Sequence, residues 1–76
     1  MPKAFVLVNT EIGSECDVLR ELKTIAGVEE AKLVFGSYDI VLCIECVSMD
    51  ELKRTIAWQI RKMANITSTQ TLILPP

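Results

Sequence analysis

Apolar residues along this chain recur at two periods, close to two in four segments and close to 3.6 in two others. Lys3 to Asn9, KAFVLVN, is an apolar run rich in residues that favour extended backbone and predicts a first strand. After a loop over Thr10 to Gly13, Ser14 is placed to cap a helix, with Glu15 and Asp17 in a first turn that suits the helix dipole. Val18, Leu22 and Ile25 follow at helical spacing with Leu19 beside them, and Gly27 is read as the stop. Val28 to Phe35 predicts a second strand, Gly36-Ser37-Tyr38 a short connection, and Asp39 to Val47 a third strand. Ser48 and Glu51 form a capping box ahead of a second helix whose apolar stripe is Leu52, Ile56, Ile60 and Met63. Ile66 to Leu74 is the fourth strand, and Pro75-Pro76 ends the fold. The order β-α-β-β-α-β predicts an α+β, ferredoxin-like domain: a four-stranded antiparallel sheet with both helices on one face. Residues 1–76 read as one domain, with no internal linker or repeat.

The third strand breaks the alternation that a sheet with one wet face requires. Ile40, Leu42, Ile44 and Cys46 share one side; Val41, Cys43 and Val47 share the other, and only Glu45 interrupts them. The first strand, with Phe5, Val6, Leu7 and Val8, is also apolar on both sides. Two helices cover one face, so the expectation is a dimer in which two sheets close face to face as an α/β barrel. A monomer kept wet by Glu45 and the threonines is the alternative.

Composition supports a partner. A chain of 76 residues with 50% hydrophobic residues is rich in apolar side chains for its size. A domain this small buries only about 60% of its unfolded surface. The formal net charge of −2 offers no basic patch for a phosphate backbone, which argues against direct nucleic-acid binding. The longest apolar run, Ile40 to Cys46, is too short to span a bilayer. Met1-Pro2-Lys3 leads straight into the first strand without a secretory signal, so a cytoplasmic location is expected.

Cys43-Ile44-Glu45-Cys46 has the C-x-x-C spacing of redox and zinc sites. Within a strand, positions three apart point to opposite faces, about 10 Å apart along the chain. Cys16, Cys43 and Cys46 are therefore read as buried structural cysteines, and no metal or cofactor is expected. The absence of histidine and of a phosphate-binding loop argues against an enzyme.

Two segments carry candidate chemistry. Gly36-Ser37-Tyr38-Asp39 can turn tightly and expose amide donors for a ligand carboxylate, with Asp39 for an ammonium. Thr67, Thr69 and Thr71 alternate with Ser68 and Gln70, placing three hydroxyls on one face. Each has a plain structural reading: a hairpin turn in which Asp39 bonds backbone, and threonine used for its strand propensity.

The pattern Gly27-Val28, Gly36-x-Tyr38-Asp39, a capped helix and a terminal Thr69-x-Thr71 resembles the effector-binding domain of the Lrp/AsnC regulators, across essentially the whole chain. The resemblance implies a sheet-to-sheet dimer, assembly of dimers into rings, commonly octamers, and a free amino acid bound near the junction between dimers. It places Tyr38, Asp39, Met49 at the start of the second helix, Thr69 and Thr71 in or near the effector site. Gly36, Ser37 and Thr67 complete the candidate set. The sequence departs from the family pattern twice. The helix-turn-helix that precedes this domain in the family's transcription factors is missing, which implies a stand-alone form that binds no DNA itself and co-assembles with a full-length relative or only binds ligand. Asn65-Ile66 stands where the family often has Gly-Val, and Asn tolerates the left-handed conformation that such a turn needs.

Three rivals remain at this point. An ACT-like regulatory domain of a metabolic enzyme would carry a glycine-rich first loop, of which Thr10-Glu11-Ile12-Gly13 is a faint match. A small dimeric α/β-barrel enzyme would need polar groups in the barrel, and only Asn9, Glu45 and Trp58 are available. Trp58, off the main stripe, is expected at a subunit contact. A ferredoxin-like metal carrier would need C-x-x-C in the first loop, where only Cys16 is near.

Overall fold

The computed structural model describes residues 1–75, so Pro76 of the terminal Pro-Pro pair lies outside the described residues. The elements are β1 (Lys3–Thr10), α1 (Glu15–Leu22), β2 (Val28–Leu33), β3 (Ile40–Glu45), α2 (Met49–Thr55), a π-helical continuation of α2 (Ile56–Ile60) and β4 (Ile66–Ile73). The four strands form one antiparallel sheet in the order β2-β3-β1-β4. This is the predicted ferredoxin-like α+β fold. The core lies between the sheet and the helices. Ala4, Val6 and Val8 of β1 and Ile40, Leu42 and Ile44 of β3 meet Val18 and Leu22 of α1 and Leu52, Ile56 and Ile60 of the second helix.

Element ends differ from the sequence reading for identifiable reasons. β2 stops at Leu33 and β3 starts at Ile40, because the chain between them leaves the sheet: Phe35 is fully exposed and Val34 partly so. Ser14 makes no side-chain cap; the Glu15 carboxylate accepts from the Gly13 N–H instead, at 3.1 Å. Ser48 does cap α2, its hydroxyl accepting from the Glu51 N–H at 3.1 Å. Asn65 takes φ 69, the left-handed turn anticipated for it.

The second helix is not α throughout. In pure α geometry Ile60 would lie about 80° round the axis from Leu52, since each residue turns about 100°. The wider π turn, closed by the Arg61 N–H donating to the Ile56 carbonyl at 2.9 Å, reduces that drift and keeps Leu52, Ile56 and Ile60 all buried. It leaves Trp58 outside, 63% exposed, with the Lys62 ammonium 3.7 Å above its ring.

Gly27 does not cap α1, which ends five residues earlier at Leu22. It sits where the chain enters β2, at φ +96, and a Cβ there would stand 3.1 Å from the Glu45 carbonyl oxygen and 3.3 Å from the Cys46 sulfur. Gly13 has a similar φ of +87 with open space around it. A left-handed residue costs an L side chain about 1–2 kcal/mol. Gly13→Ala should therefore lower the melting midpoint of this small domain by roughly 4–16 °C, and Gly27→Ala by more, because its strain adds to a close contact. Equal shifts in thermal denaturation would show that the Glu45 backbone yields freely.

Candidate functional site

One end of the sheet gathers most of the residues singled out in the sequence. There the turn Gly36–Asp39 delivers the chain into β3. The Asp39 N–H donates to the Val8 carbonyl at 3.0 Å, and the Val34 N–H donates to the Asp39 carbonyl at 2.9 Å. The Asp39 carboxylate, half-buried, accepts from the Thr10 N–H at 2.9 Å and from the Thr10 hydroxyl at 3.3 Å, both on Oδ2. Asp39 thus pins the end of β1, and Thr10 is buried. Tyr38 is half-buried beside it, while Gly36 and Ser37 are exposed.

Thr10 is also where the register of β1 against β4 shifts. Asn9 pairs with Ser68 and Thr10 with Ile66, so Thr67 is the extra residue of a bulge. The three threonines therefore do not form one regular row. Thr69 and Thr71 pair with Val8 and Val6 on the helix-covered side, and Thr67 projects from the bulge, exposed. The shift turns Ile66 toward the core and leaves Ser68 on the uncovered face, where its hydroxyl accepts from the Asn9 amide at 3.1 Å.

Beside the bulge lies a pocket of about 210 Å³ lined by Arg61, Ile66, Thr67, Ser68 and Thr69. Arg61 reads as a solvated charge in the sequence. Its place in the pocket follows from the reversal at Asn65, which lays the end of the second helix alongside the start of β4. The left-handed Asn was the signal from which this juxtaposition is deducible.

Met49 is not brought to this end. It follows β3, at the Lys3 end of the sheet, and lines an apolar pocket of about 440 Å³ with Met1, Pro2, Lys3, Leu74 and Pro75. The length of β1, about 23 Å at the rise of an extended strand, separates it from Asp39. A site using both would have to be shared between chains.

The sheet face away from the helices carries Phe5, Leu7, Val41, Cys43 and Leu72, none of them fully buried. At its Lys3 end is a polar cluster. The Lys3 ammonium lies 3.5 Å from the Glu29 carboxylate, and the Cys43 thiol donates to that carboxylate at 3.7 Å. Burial, then the Glu29 charge, pushes the Cys43 thiol up. Hydrogen bonding with the Glu45 carboxyl holds Glu29 below its ordinary value, helped by Lys3 and opposed by desolvation. Cys46 is buried on the other face, so the C-x-x-C pair is split across the sheet, whereas Cys16 is exposed rather than buried.

The relatives place this fold. The sequence model described as the Lrp/AsnC ligand binding domain matches residues 3–74, and the chain belongs to that family. It is 32% identical over 71 residues to PH0140 of Pyrococcus horikoshii, an uncharacterized HTH-type transcriptional regulator; the match covers 93% of this chain and 45% of that protein. The chain thus spans about half the length of the curated relatives it matches. The crystal structure of FFRP-DM1 superposes with a TM-score of 0.95 at 36% identity, covering 99% of this chain and 100% of that one. Escherichia coli AsnC superposes with a TM-score of 0.90 at 26% identity, over 99% of this chain and 51% of that one.

Two predictions follow from this geometry. Asp39→Ala leaves the buried Thr10 N–H without its acceptor, a loss of about 1–3 kcal/mol, and should lower the ligand-free melting midpoint by roughly 4–24 °C. Asp39→Asn keeps an acceptor oxygen and should lose much less; similar losses in both would show that the charge rather than the hydrogen bond matters. The second concerns acid. Because its folded value is depressed, Glu29 contributes stability that is present above its ordinary value of 4.5 and is lost as pH falls through the lower folded value. Glu29→Gln should flatten the stability–pH curve in that acidic window and leave it unchanged in shape near neutrality.

Proposed function

We propose that this protein is an amino-acid-binding regulatory module that works as an oligomer. The observation that carries the reading is the pairing, at one end of the sheet, of the Asp39 turn with the hydroxyl-lined pocket at Thr67 to Thr69. Carboxylate, hydroxyls and a cation within one end of a small domain suit the two charges of a free amino acid. In this reading Gly36, Ser37, Tyr38, Asp39, Thr67, Thr69 and Thr71 contribute from one chain, and Met49 contributes from a neighbouring one. The fold alone is shared with the transcriptional regulator NMB0573 of Neisseria meningitidis, at 13% identity and a TM-score of 0.86, whose structure is an L-Met complex.

Assembly is the second half of the proposal. The uncovered sheet face, with Phe5, Leu7, Val41, Cys43 and Leu72, pairs with the same face of a second copy, and dimers join into a ring, an octamer by family resemblance. The module acts without catalysis, in the cytoplasm. It exerts its effect by binding ligand or by joining full-length Lrp/AsnC regulators. Among the described residues no helix is long and apolar enough to cross a membrane.

Thermal denaturation against each common amino acid, with mass from light scattering, tests the reading. A ligand at a hundred times its dissociation constant adds about 2.7 kcal/mol to the state that binds it. In a domain of this size that raises the midpoint by roughly 10–20 °C. A shift with one or a few amino acids is expected, and no shift with any of them would remove free-amino-acid sensing. Phe5→Lys, at the centre of the uncovered face, should convert the dimer to a folded monomer in the same scattering measurement. An unchanged mass would place the subunit contact elsewhere.

A further inference from the structure

We infer that Arg61 is the carboxylate anchor of the ligand, holding it in the pocket formed with Thr67, Ser68 and Thr69. The inference rests on the amino-acid reading above and adds which ligand group is held, and by what. The argument begins with the cations. Among the described residues Lys3, Arg20 and Lys32 are paired with Glu29, Asp17 and Glu30, and Lys62 lies over Trp58. Lys23, Lys53 and Arg54 have no such pair; the pocket Lys23 lines contains Glu29 and Glu30, which repel an anion, and neither Lys53 nor Arg54 lines the pocket at Thr67 to Thr69. Arg61 also has no ion pair, and the pocket it lines contains no carboxylate at all.

Apart from Ile66, the rest of that lining carries donors. Ser68 already accepts from Asn9, which leaves its own hydroxyl proton free to point outward. Thr67 stands out of register in the bulge, so its backbone groups are outside the regular β1–β4 pairing. β4 is an edge strand, and its outer amides have no neighbouring strand. A guanidinium is planar, always charged and shaped to hold a carboxylate by two parallel hydrogen bonds. The Asp39 carboxylate bonds, from the β3 side, to Thr10, the residue of β1 that pairs with Ile66 of the same pocket.

Calorimetric titration of the intact chain decides it. The probes are the amino acids that shift the melting midpoint, each beside the amine lacking its α-carboxylate: L-methionine with 3-(methylthio)propylamine, L-leucine with isoamylamine, and so on. The amines should not bind. Arg61→Gln should weaken amino-acid binding by roughly 10- to 100-fold, the range for a hydrogen bond to a charged group. Arg61→Lys should fall between that variant and wild type. Because Arg61 is exposed, its variants should keep the ligand-free midpoint, and Thr69→Val, which removes one pocket hydroxyl, gives an independent smaller loss. Binding that is unchanged in Arg61→Gln, or amines that bind as tightly as their amino acids, would overturn the anchor and leave amino-acid sensing standing. Failure of every amino acid to bind wild type would overturn both.

Discussion

The constraint that governs this molecule is that two helices can cover only one side of a four-stranded sheet. β1 and β3, the central strands, carry apolar side chains on both sides. One set, Ala4, Val6, Val8, Ile40, Leu42 and Ile44, is sealed beneath the helices. The other, from Phe5 to Cys43, is left at the surface. A strand with two apolar faces belongs in a sheet covered twice, and 76 residues supply only one cover. The second cover is the role proposed for another copy. Lys3, Glu29 and Glu45 at one end of that face give it a polar rim, in which Lys3 is paired with Glu29.

The helix layer meets the same constraint by distorting. A stripe spaced by four residues over Leu52, Ile56 and Ile60 drifts by about 80° round an α-helix. The π turn resolves the mismatch by widening one turn, and its by-product is an exposed Trp58 and an Arg61 delivered to the start of β4. The bulge at Thr67 is the corresponding adjustment in the sheet. A one-residue slip exchanges the faces of everything beyond it, so the bulge lets Ile66 enter the core while Thr69 and Thr71 keep their side. Asp39 fixes Thr10, the residue at which that ladder shifts, from the β3 side. The irregularities that serve packing are the ones that bring charged and hydroxyl groups together.

This explains which parts were legible in the sequence. Element order, the buried stripes and the splitting of Cys43 from Cys46 depend on periodicity, which one sequence displays in full. The turn at Asn65 depends on a local preference, and it too was readable. The row of three threonines was misread because alternation was assumed to run unbroken through Thr67, and a bulge leaves no sure mark in the sequence. Gly27 was assigned to the nearest helix, whereas its need for a missing Cβ comes from Glu45 and Cys46, far along the chain. Arg61 was overlooked because its role depends on where two elements meet. Strand faces follow from local spacing; pockets follow from tertiary placement.

The distribution of the candidate residues bears on how sensing and assembly would be linked. Asp39 and Thr69 lie at one end of β1 and Met49 at the other, so a single chain never presents them together. If Met49 contributes to the effector site, it does so across a contact joining unlike ends of two chains. Such a contact is heterologous and propagates until it closes as a ring or extends as a filament. A ligand held at that junction would favour the assembled form over the separated one by its differential affinity for the two. Assembly would in turn tighten ligand binding by the same factor. An Arg61 anchor changes the balance, since it lets one chain hold the carboxylate alone and leaves only side-chain selection to the neighbour. Under that proposal, ligand affinity in a separated dimer and its gain on assembly would be set by different residues, Arg61 for the first and the Met49 end for the second.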